Sequence, residues 1–371
     1  MDDALGVAAG QGEDEFALGI HGARDCRRRT FCRRRAGLLH PDGGRRRMGG
    51  VQPTHPRSTS MNMKPMAALA AGLLSIGLAG PARAETLVGL TTTNQLAVFD
   101  SAAPTGASAL VQLTGLAVNE RLLGIDTRPS TGLIYGISSA NRLYTVDAST
   151  GAASFVAGLS AAPADATDPF AGLQSLAIGI DFNPVPDLGM SLPSLRVTTS
   201  AGQNLRINVN GAAAGQVTTD VPLNGGPGSP SIVASAYADN DRDPATGTTL
   251  YGIDQATDAL FVQNPPNNGT LGLVGALGVD TSGVAGFEIS GSGLAFAALT
   301  DGLTGKSSLY RIDLASGSAG LVGAFGILGD TAIAPPLLDI AAIGAVPEPQ
   351  SLALLALGLA VVGAVTRRRP A

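Results

Sequence analysis

The chain has 371 residues, a formal charge of −5 at pH 7, two cysteines, three histidines and no tryptophan. Cys26, Cys32, His21, His40 and His55 all fall within the first 60 residues. The rest of the chain can therefore build neither a Ser-His-Asp or Cys-His catalytic set nor a zinc site of His and Cys ligands, and any chemistry there falls to carboxylates, arginines, tyrosines, a lysine or a hard metal ion on oxygen.

Residues 1–60 are rich in arginine, as in "CRRRTFCRRR" and "GGRRRMGG", and show no apolar periodicity. They read as a start codon assigned too early, or a disordered leader. The competing reading is a basic arm for nucleic acid, which an exported protein would have little occasion to use, so no nucleic-acid partner is expected. Residues 61–84 supply the export signal. Lys64 is its positive end, 67–80 its apolar stretch, and Ala82 and Ala84 flank Arg83 as the small residues of a cleavage site. The mature chain is expected to begin near Glu85.

Residues 85–345 hold 21 acidic and 8 basic side chains, a formal charge of −13 that disfavours polyanions as partners. Five segments repeat in this stretch: "NQLAVFD", "NRLYTVD", "QNLRINV", "DALFVQN" and "SSLYRID". Their leucines, Leu96, Leu143, Leu205, Leu260 and Leu309, stand 47, 62, 55 and 49 residues apart, the period of propeller blades rather than of helical solenoids. Each segment follows a short apolar strand ("TLVGL", "LIYGIS", "LRVTTS", "LYGID", "LAFAAL"). Turn-and-strand units such as "ASTGAASFVAG" and "NGTLGLVGALG" come after it. A fourth strand stands earlier in each unit: "LLGIDTRP", "AIGIDFNP", "IVASAYAD", "VAGFEISG" and "LLDIAAIG". Short apolar runs bounded by Gly, Asn, Asp and Pro are strands, and four make a blade.

The last of these strands, 337–344, lies at the C-terminal end, whereas its companions lie at 86–116. The reading is an all-β fold, a β-propeller of five four-stranded blades in which the final strand closes onto the first blade. An irregular β-sandwich or β-solenoid is the alternative. A signal helix and a C-terminal transmembrane helix flank the propeller.

Two equivalent strands end alike, at Asp126-Thr127-Arg128-Pro129 and Asp181-Phe182-Asn183-Pro184. If they are the innermost of their blades, Asp126, Arg128, Asp181 and Asn183 surround the channel mouth and offer a site for a small polar ligand. An ordinary Asx-turn explains the same pattern. In "GQNLRIN", alternation puts Asn204 and Arg206 on one strand face, where they would grip a carboxylate or sugar hydroxyls or simply meet solvent. Asp239, Asp241 and Asp243 stand at alternate positions in "DNDRDPATG", a weak match to a calcium loop, because Pro244 and Leu250 occupy the places of its glycine and its terminal acid. Tyr135, Tyr144, Tyr251 and Tyr310 recur as packing aromatics. No catalytic residue is assigned and no cofactor is expected, with calcium the one ion left open.

Residues 346–371 form a tail. "VPEP" is followed by fourteen uncharged residues, Leu352–Val365, and then "RRR". As a helix that run spans about 21 Å, short of the roughly 30 Å of a hydrocarbon core, which suits transient inner-membrane anchoring with the arginines on the cytoplasmic side. The order Pro347-Glu348-Pro349, apolar run, Arg367-Arg368-Arg369 resembles the PEP-CTERM sorting signal of Gram-negative exopolysaccharide-producing bacteria. The resemblance implies exosortase and the Sec machinery as partners, and delivery to the cell surface or extracellular matrix. The blade wording "GIDTRPSTGLIYGI", "GIDFNPVPD", "GQNLRIN" and "NPPNNGTL" also resembles a secreted bacterial domain of unknown function often joined to such tails, which implies a propeller and no particular reaction. The expected role is a binding or structural module of the exopolysaccharide matrix, with polysaccharide or surface proteins as partners. The alternative is a metal-assisted hydrolase or lyase on a sugar or lactone at the channel mouth.

Overall fold

The computed structural model describes residues 84–343, apart from 108, 190–192 and 242. The expected signal segment, the sorting motif and the apolar tail helix lie outside the described residues. Among the described residues no helix is long and apolar enough to cross a membrane.

Strands follow the repeat. Blade 1 holds β1 (Thr86–Thr91), β2 (Gln95–Asp100) and β3 (Leu110–Gln112). Blade 2 holds β4 (Leu122–Thr127), β5 (Ile134–Ser138), β6 (Arg142–Val146) and β7 (Ala153–Gly158). After a two-residue strand, β8 (Ser160–Ala161), blade 3 holds β9 (Ile178–Phe182), β10 (Leu195–Thr199), β11 (Asn204–Ile207) and β12 (Gln216–Thr219). Blade 4 holds β13 (Ile232–Tyr237), β14 (Leu250–Asp254), β15 (Ala259–Gln263) and β16 (Leu271–Ala276). Blade 5 holds β17 (Ala285–Ile289), β18 (Ala295–Thr300), β19 (Ser307–Ile312) and β20 (Ala319–Ala324). The last strand, β21 (Leu337–Ile343), joins blade 1.

The fold is an all-β, five-bladed propeller. β21 pairs antiparallel with β1, from Thr86↔Ile343 to Thr91↔Leu337. The innermost strands β21, β4, β9, β13 and β17 touch in that order and return to β21, closing the ring. β9 and β17 also meet across the axis, so the centre is narrow.

The repeated leucines lie near the start of the third strand of each blade and are fully buried. The Asn or Asp two places before three of them, Asn94, Asn141 and Asp258, turns the preceding hairpin with φ of 62°, 55° and 47°, a left-handed conformation that Asn and Asp adopt more readily than other side chains. Apolar clusters fill the wedges between blades, with Leu123, Ile180 and Val197 between blades 2 and 3, and Phe99, Phe296 and Leu337 between blades 5 and 1.

Blade 3 departs from the expected four strands. β8 adds to its outer edge, parallel to β12. The long spacing between Leu143 and Leu205 is the reason, because the extra connection leaves blade 2, runs along that edge and then enters β9. A second departure is the short helix α1 (Pro184–Leu188), which follows β9 directly.

Three inner strands share Gly–apolar–acid: Gly124-Ile125-Asp126, Gly179-Ile180-Asp181 and Gly286-Phe287-Glu288. The glycines let adjacent blades approach near the axis. A Cβ at Gly179 would sit 2.5 Å from the Ser235 backbone nitrogen, and one at Gly286 would sit 2.6 Å from Asp339 Cα. Backbone cannot step aside as a side chain can. Gly286→Ala is therefore expected to cost about 1–3 kcal/mol, read as a lower midpoint in chemical denaturation followed by circular dichroism. An unchanged midpoint would mean that the inner strands are not this close.

Candidate functional site

The acids of the Gly–apolar–acid pattern meet at the axis. One carboxylate oxygen from each of Asp126, Asp181 and Glu288 lies within 4.8 Å of the others. Asp339, on β21, is buried beside them. The exposures of Asp126, Asp181 and Glu288 are 2%, 1% and 2%.

The carboxylates bind the ring together. Asp126 on blade 2 accepts the N–H of Phe182 on blade 3 (Oδ2, 2.7 Å) and that of Thr127 (Oδ1, 2.6 Å). Asp339 on blade 1 accepts the N–H of Ile125 on blade 2 (2.9 Å) and that of Ile340 (2.9 Å). Each acid thus caps a backbone donor of the following blade. Asp181 Oδ1 has no hydrogen-bond partner. None of the ion pairs among the described residues includes these four acids.

Burial without a counter-charge raises their proton affinity. Burial pushes Asp126 up to about 7, against the pull of the Phe182 and Thr127 N–H groups. Asp181 is held well above the usual carboxylate range by burial and then by the charges of Asp126 and Glu288. Burial does the same for Glu288 and Asp339, with Asp126 as the next neighbour raising Glu288.

Raised acids stabilise a fold fully below their unfolded pKa, here near 3.8, and lose that contribution as pH climbs through the folded value, about 7 for Asp126. With divalent ions chelated, the melting temperature is therefore expected to fall between pH 5 and pH 8. A melting temperature that rises over this window would contradict the buried, unpaired state of the acids.

Of the candidates read from sequence, the structure brings Asp126 and Asp181 together and turns the others to different partners. Arg128 donates from Nε to Asp187 (2.7 Å), whose other oxygen accepts the Ser130 N–H (2.9 Å). Asn183 is the N-cap of α1 and accepts from the Val185 N–H (3.1 Å). Arg206 grips both oxygens of Asp220 at 2.7 Å. Asn204 is fully buried and uses its whole amide. Its oxygen accepts from Arg196 (2.8 Å) and Gln263 (3.1 Å), and its nitrogen donates to the carbonyls of Val221 (3.0 Å) and Pro266 (2.9 Å). In the 239–243 turn, Asp241 accepts the Asp243 N–H (2.8 Å) and Asp243 accepts the Ala245 N–H (2.9 Å).

Sequence reasoning passed over Glu288, Asp339 and Arg196. Glu288 was within reach, because "VAGFE" aligns with "LLGID" and "AIGID". Asp339 stands at a different point of its strand and carried no such mark. Arg196 reads as one charge in an apolar strand, yet it is 2% exposed and donates to Tyr237, Asn204, Asp220 and Asn267.

A family model described as a domain of unknown function, DUF4394, matches residues 95–334, and a PEP-CTERM protein-sorting motif matches residues 345–369. No curated protein matches the chain. Among solved structures, a Bacteroides thetaiotaomicron protein of unknown function is 13% identical with a TM-score of 0.38, covering 71% of this chain and 66% of its own. An auxiliary nutrient binding protein of the same organism is 12% identical with a TM-score of 0.33, covering 57% and 55%. A calcium-binding protein, regucalcin, from Agrobacterium tumefaciens is 14% identical with a TM-score of 0.34, covering 66% and 74%. Likenesses this distant transfer no function to this chain.

Proposed function

Since this chain belongs to the DUF4394 family and ends in a PEP-CTERM sorting motif, which marks it for exosortase and the cell surface, we propose that it is a binding or structural module of the extracellular exopolysaccharide matrix. Polysaccharide or other surface proteins are its partners, and calcium is the one ion its oxygen-only chemistry leaves open. The observation that carries this reading is the tail, with Glu348 between two prolines, an apolar run and Arg367–Arg369. The precursor is held briefly in the inner membrane and released outward when the tail is cut. The net negative charge of residues 85–345 suits a matrix in which divalent cations bridge anionic chains.

The alternative, a hydrolase or lyase at the channel mouth, meets an obstacle in the burial of the acids. A general acid and base must reach their substrate, and Asp126, Asp181 and Glu288 are closed off from a sugar ring. Arg128 and Arg206 are also committed to Asp187 and Asp220.

Two experiments test the reading. Cell fractionation of Glu348→Ala and of a chain lacking Arg367–Arg369 is expected to find precursor retained in the inner membrane. Unchanged surface delivery would contradict the sorting role. Exported protein is also expected to co-sediment with exopolysaccharide isolated from the same culture. Protein left wholly in the supernatant would contradict the matrix role.

A further inference from the structure

We propose that Asp126, Asp181 and Glu288 hold a hard divalent cation, calcium by its tolerance of irregular carboxylate geometry, at the centre of the ring, where it ties blades 2, 3 and 5 across the axis. This deepens the reading above by putting the ion inside the fold rather than on the acidic surface turn, and it rests on that reading only for calcium as the physiological ion.

Four observations carry the proposal. The three carboxylates converge, with one oxygen of each within 4.8 Å of the others. Calcium accepts irregular sets of carboxylate oxygens at about 2.3–2.6 Å, whereas magnesium demands near-ideal octahedral geometry and keeps several waters, which a buried, closed site does not suit. Asp181 supplies an orphan: Oδ1 has no partner although the residue is 1% exposed. A buried acceptor left so is destabilising, and an ion beside it removes that cost. Among the described residues no cationic side chain pairs with the three acids either. All four ion pairs among the described residues lie elsewhere, at Arg128–Asp187, Arg142–Glu120, Arg196–Asp220 and Arg206–Asp220. Finally, the donors are oxygen alone, since residues 84–343 contain no histidine or cysteine, which selects hard ions over zinc or copper.

The neighbours fit this role. Each Asp126 oxygen accepts one backbone N–H, from Thr127 and from Phe182, which aims the carboxylate and leaves each oxygen a further lone pair. Asp339, fixed by two backbone N–H groups, is a nearby outer carboxylate. By contrast, Asp241 and Asp243 lie in a solvent-facing turn whose N–H groups already occupy them.

The test uses the full chain purified in mild detergent, stripped with EDTA and titrated with Tb³⁺ and then Ca²⁺. Tyr135 stands directly across from Asp126 in the sheet register, so tyrosine excitation is expected to sensitise bound Tb³⁺. The expected result is one ion per chain, displaced by Ca²⁺, with affinity falling at least tenfold in Asp181→Asn and in Glu288→Gln. The Asp241→Asn/Asp243→Asn double variant is expected to bind like the parent. Calcium is expected to raise the melting temperature of the parent and of that double variant, but not of the two axial variants. In EDTA above pH 8, where the parent's buried acids are driven to ionise beside one another, the axial variants are themselves expected to melt cooperatively and no lower than the parent, and this shows that they fold. The proposal is overturned by a parent that binds no ion, by binding that survives Asp181→Asn and Glu288→Gln, or by binding lost only in the surface double variant. Matrix co-sedimentation without an axial ion would sink this proposal alone. An axial ion without co-sedimentation would sink only the matrix role.

Discussion

Replacing Arg196 with alanine is expected to destabilise the propeller by about 3–5 kcal/mol, the usual cost of removing one partner of a buried charge pair. The apolar cluster at the edge of blades 3 and 4 is the smallest in the ring, formed by Leu223, Ile232, Ala259, Phe261 and Leu271. A polar network fills the rest of that wedge. Arg196 reaches from β10 to the Tyr237 hydroxyl (3.2 Å) and Asn267 Oδ1 (2.7 Å) on blade 4, and to Asn204 Oδ1 (2.8 Å) and Asp220 Oδ2 (2.7 Å) on its own blade. Alanine would leave four acceptors without this donor, one of them a carboxylate 6% exposed. Arg206 provides the control. It binds the same carboxylate, but its side chain is 28% exposed, so Arg206→Ala is expected to cost about 1 kcal/mol. Chemical denaturation followed by circular dichroism separates the two. Equal costs would mean that the pair, and not the wedge, sets the energy. Because both arginines share Asp220, the double variant is expected to be non-additive.

Deleting Leu337–Ile343 is expected to abolish the fold. This strand is the inner strand of blade 1, and without it β1 becomes a bare edge facing the axis. Leu337, Ile340 and Ala341 are fully or almost fully buried, and they fill the wedges on both sides of the blade. Burying a large aliphatic side chain is worth about 1.5–3 kcal/mol, so Leu337 and Ile340 alone approach the 5–15 kcal/mol stability of a typical domain. Asp339 goes as well, leaving the Ile125 N–H without its acceptor. The expected outcome is aggregated protein without a cooperative melt. A soluble, cooperatively melting deletion variant would contradict ring closure by this strand.

The features that recur once per blade were legible in the sequence, and those that occur once in the chain were not. Each blade must present the same strand to the same neighbours, so Leu96, Leu143, Leu205, Leu260 and Leu309 return at blade spacing, and the stray strand at 337–343 announces the blade it completes. The turn before the third strand recurs as Asn94, Asn141 and Asp258 for a backbone reason. The site was half legible. Asp126 and Asp181 stood out because a proline-containing turn follows both. Glu288 shares their Gly–apolar–acid setting but not the turn, so attention to the turn hid it. Partners such as Asp187 for Arg128, or Asn267 for Arg196, are brought close by packing across 59 and 71 residues of chain, and no local pattern encodes them. α1 and β8 sit in connections that vary between blades, where periodicity is silent.

The claim on which the rest depends is that the two ends of the domain share one sheet, so that the innermost strands enclose the acids. Val88 and Ala341 are directly opposite in that sheet and are both fully buried. No native cysteine lies in residues 84–343. The direct measurement is therefore oxidative cross-linking of the Val88→Cys/Ala341→Cys variant, read by mass spectrometry of non-reduced tryptic peptides. A disulfide joining the two strands in folded, monomeric protein is the predicted result. Free thiols at both positions in a chain that still melts cooperatively would contradict the ring.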